Sequence, residues 1–202
     1  MKDYLMYDGF SSRLTPIRNN ITSLDPGLVD TDKLYDQMTN VFKFDALSRK
    51  DYCVDFQNCY TFLGVMSIRN LFISSANSFI KAGEASRAEE MLDRCREVMD
   101  PKRYPYDNSI LGWASNALYP IEMIKDYYLL GKPDKAKAVV QELVSEVMES
   151  TMLYLDYYPD YKEEFEYNCQ LIYYLANEVK KSGDKEFGEK IESDLATFLG
   201  NS

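Results

Sequence analysis

The chain contains no histidine. That absence removes the commonest general base, the commonest zinc ligand and every Ser-His or Cys-His nucleophile pair. Any catalysis would have to run on carboxylates, Lys or Tyr. Cysteine is sparse: Cys53, Cys59, Cys95 and Cys169, with no CxxC among them. Four thiols at such uneven spacing, without His, make a poor zinc site. No run of Lys and Arg is present, and the net charge is −10. An acidic chain is repelled by phosphate, so nucleic acid and anionic membrane surfaces are poor partners. Long apolar runs are missing too. The longest, TFLGVMSI, ends at Arg69 and is far too short to span a bilayer. The N-terminus lacks the basic-then-apolar pattern of a signal peptide. No phosphate loop, dinucleotide fingerprint or metal-ligand cluster appears, so neither cofactor nor metal is expected. On these residues alone the expected setting is soluble and cytoplasmic.

What is present is enough to fill a core. The chain has 202 residues, 46% of them hydrophobic, which suits one large domain or a short repeat array. Residues 4–20, YLMYDGFSSRLTPIRNN, show no period of 3.6 and predict one or two short extended segments. Pro16 holds Thr15 extended. Asp25-Pro26-Gly27 predicts a turn. VDTDKLYDQMTNVF then predicts a helix, with Asp30 or Thr31 as N-cap and Leu34, Met38 and Val41 on one face.

From about residue 55 the pattern repeats. Residues 84–99 place Ala85, Ala88, Leu92, Cys95 and Met99 on one helical stripe, which makes Cys95 a small core residue. Residues 134–155 do the same with Ala136, Val140, Leu143, Val147 and Tyr154. Similar hinges, FIKAGEASRA, YLLGKPDKA and VKKSGDKEF, precede these helices and a final one. They match the tetratricopeptide template, in which Gly ends a first helix and a small residue follows five later. The first copy reads Phe72, Ala76, Phe79, Gly83, Ala88, Leu92 and then Pro101. The second reads Ile124, Tyr127, Gly131, Ala136 and Val140. The third reads Leu175, Ala176, Val179 and Gly183, then degenerates, with Gly188 where Ala belongs. The hinge glycines are 48 and 52 residues apart, not about 34. The helices are therefore long and irregular, and the pattern is tetratricopeptide-like rather than strict. Pro120 either kinks or starts a helix, and Pro159 marks a corner.

Three local motifs invite chemistry. Ser78-Phe79-Ile80-Lys81 matches the S-x-x-K of serine acyl-enzymes but ends a helix and lacks both partner motifs. Asp30-Thr31-Asp32 resembles a metal-holding D-x-D, but reads more simply as an N-cap plus a carboxylate on the helix dipole. LYLDYYPDYKEEFEY sets six aromatics among acids. Sugar stacking or calcium binding is conceivable there, but a half-buried packing surface with wet hydroxyls is the favoured reading. The candidate binding surface is the concave, inner face of the first helices, with Asn70, Asn77, Lys125, Tyr128, Tyr173 and Asn177. The plainer alternative is an ordinary solvated face. Cys53 and Cys59 are six residues apart, and a disulfide between them needs a loop.

Taken in order, YLMYDGFSSRLTPIR, VDTDKLYDQMTNVFKF, RNLFISSANSFIKAGEASRAEEMLDRCREVM and YPIEMIKDYYLLGKPDKA resemble the C-terminal region of a bacterial family of multi-spanning membrane proteins. That family is related to protein O-mannosyltransferases and has the membrane-embedded glycosyltransferase architecture. The resemblance covers most of residues 4–145. Residues 48–60 and the tail after 150 depart from it. It implies that the lead is a seam to a missing membrane portion. It also implies that the family's catalytic acid lies outside this chain, and that the domain is extracytoplasmic (periplasmic), where disulfides are permissible.

The expected architecture is all-α: a tetratricopeptide-like α-solenoid of about three helical hairpins over residues 29–202, after a non-helical or β lead at 1–28. The expected role is non-catalytic. The domain would position a protein or peptide partner, or a glycan acceptor, beside a membrane glycosyltransferase-like parent. The rivals are a free-standing cytoplasmic scaffold binding peptides and a sugar-uptake solenoid lipoprotein. The lipoprotein would need a lipobox cysteine, and the first cysteine here is Cys53.

Overall fold

The computed structural model describes residues 2–19, 27–51, 64–106 and 118–200. Cys53, Cys59 and most of the expected turn at Asp25-Pro26-Gly27 lie outside the described residues. What is described is mainly helical. The chain divides into two compact units, Met1–Tyr104 and Pro105–Ser202.

The first unit opens with a 3₁₀ turn, Lys2–Tyr4, and two short strands, β1 (Leu5–Tyr7) and β2 (Ser12–Leu14). They pair antiparallel, with Leu5 opposite Leu14 and Tyr7 opposite Ser12. The lead is therefore extended, as its lack of helical period predicts. Buried Asn19 ties it to the segment at Leu28. The Asn19 side chain donates to the Leu5 carbonyl at 2.8 Å and accepts from the Leu28 N–H at 2.6 Å. The buried Asp8 carboxylate takes Lys33 at 2.6 Å and Arg13 at 3.5 Å. A charge this deep is tolerable only when so paired.

Helix α1 spans Thr31–Asp36. Asp30 is its N-cap and accepts from the Lys33 N–H. A π-turn, Gln37–Val41, comes next, closed by the Phe42 N–H on the Gln37 carbonyl. Leu34 and Met38 are fully buried, but Val41 is 55% exposed. The expected common face therefore fails at Val41. The extra residue in the π-turn rotates it off the stripe. A short helix, α2, covers Asp45–Ser48. These elements are additional to the expected set of hairpins.

Helices α3 (Val65–Lys81) and α4 (Ala85–Val98) pack together and close the first unit. Phe72, Ala76, Phe79, Ala88, Leu92, Cys95 and Met99 are all buried, whereas Ala85, the first residue of α4, is exposed. Each large side chain removed from water contributes about 1.5–3 kcal/mol before the entropy of ordering is subtracted.

The second unit holds α5 (Leu118–Leu129), α6 (Pro133–Asp156), α7 (Lys162–Lys181) and α8 (Lys185–Gly200). Helix α5 packs on α6, α6 on α7, and α7 on α8. Pro120 is the third described residue of α5. Pro159 lies in the turn between α6 and α7.

One turn geometry joins α3 to α4, α5 to α6 and α7 to α8. Gly83, Gly131 and Gly183 have φ of +78°, +69° and +101°. In each turn the glycine N–H reaches back three residues, and the next N–H reaches back five. Glu84 donates to Phe79 at 2.8 Å, Lys132 to Tyr127 at 2.8 Å and Asp184 to Val179 at 3.3 Å. This is the Schellman arrangement, which only glycine adopts without strain. Five residues on, Ala88, Ala136 and Gly188 are buried. Gly188 is not a degenerate position. A side-chain carbon there would lie 2.8 Å from the Ala176 carbonyl oxygen, so the backbones of α7 and α8 meet where even Ala does not fit.

Candidate functional site

The six expected binding residues fall into three pairs, each on one helix face. In the first unit, Asn70 and Asn77 are both half-buried on α3. Asn70 accepts from the Ser74 hydroxyl at 3.1 Å. Lys125 and Tyr128 lie on α5, and Tyr173 and Asn177 on α7, all in the second unit.

Lys125 is braced rather than free. Its ammonium lies 3.0 Å from Glu178 and 3.0 Å from Glu122. Glu178, nearly buried, takes Lys181 at 2.7 Å on its other oxygen. The hydrogen bond from Lys181 is the main cause holding the Glu178 carboxyl below its usual range. Lys125 adds to it against the opposing effect of burial. Burial disfavours the Lys125 ammonium, but its two carboxylate partners outweigh that and raise its pKa. The result is an ionic clasp between α5 and α7.

Tyr128 forms a second clasp. Its hydroxyl donates to Asp184 at 3.3 Å, and Lys137 reaches the same carboxylate at 2.8 Å. Asp184 also accepts from the Phe187 N–H, capping α8. Burial, then the Asp184 charge, pushes the Tyr128 phenol up. Lys137 chiefly holds Asp184 low. Tyr173 and Asn177 are exposed, four residues apart on α7, and neither makes a side-chain bond among the described residues. Lys125 and Tyr128 therefore hold helices together, and Tyr173 and Asn177 are the pair presented to solvent.

Among the buried polar residues that sequence reasoning missed are Asp126 and Asn168. Asp126 is 1% exposed, and its Oδ2 has no hydrogen-bond partner among the described residues. Burial, reinforced by the Glu122 charge and opposed by Lys125, pushes its pKa up to about 8. Asn168 is fully buried and donates to the Ser150 hydroxyl at 3.1 Å, tying α7 to α6. The available signal in both cases was a polar residue inside an otherwise apolar helical stripe.

The side chains of two of the local motifs make contacts within the first unit. Ser78 donates to the Ser74 carbonyl at 2.8 Å in the last turns of α3. Asp32 pairs with Arg87 at 2.8 Å, and the Thr31 hydroxyl donates to Glu84 at 2.7 Å. Cys95 and Cys169 are free and buried. Burial pushes the Cys95 thiol up to about 12, which makes it unreactive at neutral pH.

No protein-family model matches this chain, and neither does any curated protein or solved structure.

The described residues line at least two concavities. An acidic groove of about 530 Å³ in the first unit is lined by Asp45, Glu89, Glu90, Asp93 and Glu97, with Arg94. A smaller one of about 230 Å³ lies among Val144, Met148, Ile172, Phe187 and Ile191 of α6, α7 and α8. Among the described residues, no three Cys, Asp or Glu side chains converge as a metal ion would require. Among the same residues, no helix is long and apolar enough to cross a membrane.

Proposed function

We propose that this chain is a non-catalytic, tetratricopeptide-like interaction domain. It binds or positions a protein partner or glycan acceptor beside a membrane glycosyltransferase-like parent, on the extracytoplasmic side. The observation that supports it is the threefold recurrence of one Schellman turn followed by a small buried residue five positions on. Repetition of this kind builds extended surfaces for partners rather than enclosed reaction sites. The parent is suggested by the sequence resemblance alone.

The pairing of roles on the helices agrees with such a module. Lys125, Glu178, Tyr128 and Asp184 are engaged in helix-to-helix clasps. Tyr173 and Asn177 stay outward, an amphipathic ring and an amide suited to contacting a peptide. The test compares the purified chain with the full-length protein, each given a lipid-linked sugar donor and acceptor. Transfer is expected only with the full-length protein. Transfer by the purified chain alone would overturn the reading.

A further inference from the structure

The corner between α6 and α7 carries a surface that the clasps do not explain. Tyr157, Tyr158 and Tyr161 are 59%, 49% and 45% exposed, and Met152 and Leu153 beside them are exposed as well. The rings form two adjoining groups along the corner. Tyr161 stacks on the buried Tyr154 at 5.6 Å and meets Tyr157 edge-on at 6.2 Å. Tyr158 meets Phe165 edge-on at 6.2 Å. Backbone bonds hold the turn, from Tyr158 to Leu155 at 3.2 Å and from Asp160 to Tyr157 at 3.0 Å. The rings are therefore positioned before any partner arrives, and little entropy is lost on contact.

Charge around these rings is one-sided. Residues 152–167 include Asp156, Asp160, Glu163, Glu164 and Glu166 against the single cation Lys162. Lys162 is already paired with Glu166 at 3.6 Å. Glu163 and Glu164 sit in the first turn of α7, where the helix dipole favours them. Asp156 has no such support. It is the last residue of α6, at the negative end of the dipole, and no basic residue occupies that last turn. Asp160 is exposed in the turn. Neither carboxylate has a side-chain partner among the described residues. Two unpaired acids beside exposed rings would be complemented by a cation that also stacks. Guanidinium groups do both, with their faces on tyrosine and their edges on carboxylate.

We propose that this corner docks an arginine-rich segment of a partner protein. The inference rests on the interaction-domain reading but not on the membrane parent. Arginine suits it better than lysine because the planar group stacks while it hydrogen-bonds.

The test uses a labelled peptide of alternating Arg and Ser, its citrulline counterpart, and fluorescence anisotropy with the whole chain. The Arg peptide is expected to bind, weakening with salt, and the neutral citrulline peptide to bind at least about fivefold more weakly. Asp156→Asn with Asp160→Asn should weaken the Arg peptide about fivefold, and Tyr157→Ser with Tyr158→Ser about threefold. Asp45→Asn with Glu97→Gln removes equal charge from the first unit and should change binding less than about twofold. All substituted side chains are exposed, so folding is preserved, as circular dichroism would check. Equal losses from both charge-removing pairs would mean general attraction to an acidic protein and overturn the proposal. So would equal binding of Arg and citrulline peptides. An oligosaccharide that shifts the amide resonances of residues 156–161 while the Arg peptide does not would replace it with sugar stacking. Failure here, with another peptide still binding elsewhere, leaves the interaction-domain reading standing. Sugar transfer by the chain alone would remove that reading and leave the peptide result intact.

Discussion

A carbon added to Gly188 would lie 2.8 Å from the carbonyl oxygen of Ala176, closer than a side-chain carbon approaches any such atom. The two helices of the last pair meet at their backbones, and the absent side chain is what lets them. Gly188→Ala should therefore destabilise the protein even though Ala is the better helix former. Overpacking costs about 1–3 kcal/mol, and the helix-propensity gain returns only about 1 kcal/mol. Thermal unfolding should show a Tm lower by a few degrees. An unchanged or higher Tm would mean that α7 and α8 separate easily.

The hinge glycines make the opposite demand. Nothing lies within 4 Å of a carbon added to Gly83, Gly131 or Gly183, so space is free and only the positive φ resists. Gly183→Ala should cost about 1–2 kcal/mol, and Gly183→Asn less, because Asn tolerates the left-handed region. At Gly188 the order reverses, since Asn is larger than Ala. Denaturant midpoints of the four variants check this crossing.

Asp126 gives a pH signature. Its pKa rises from the ordinary carboxylate value near 4 to about 8 in the folded chain. Between those values the unfolded state gives up its proton while the folded state keeps it. Stability therefore falls as pH rises through the window and levels off above about 8, by at most about 1.4 kcal/mol per pH unit. Asp126→Asn cannot ionise and escapes this loss. The Tm of the variant minus that of the wild type should increase from pH 4 to 8 and then stay flat. A flat difference across the range would mean that Asp126 is charged when folded.

The Cys95 thiol should resist alkylation. It is 1% exposed and raised to about 12. Peptide mapping after brief iodoacetamide treatment at pH 8 should find Cys95 unmodified in native protein and fully modified in urea. Modification in the native state would show that α4 opens.

The features legible in the sequence are those that depend on local rules. The helix pairs, their glycine turns and the Asp30 cap follow from period, positive φ and capping chemistry. The stripe from Ala88 to Met99 is buried as its spacing requires. What was not legible depends on long-range geometry. Val41 leaves its face because a π-turn intervenes, and no residue type announces one. Gly188 reads as a worn repeat in sequence, and only the Ala176 carbonyl against it shows why glycine stands there. Lys125 reads as a binding cation, and only the position of α7 shows that Glu178 neutralises it.

The proposed setting is tested most directly by immunoblotting fractionated native cells with an antibody to this domain. The account predicts a band several times larger than 23.5 kDa in the membrane fraction. A soluble band near 23.5 kDa would contradict it and leave a free-standing scaffold in its place.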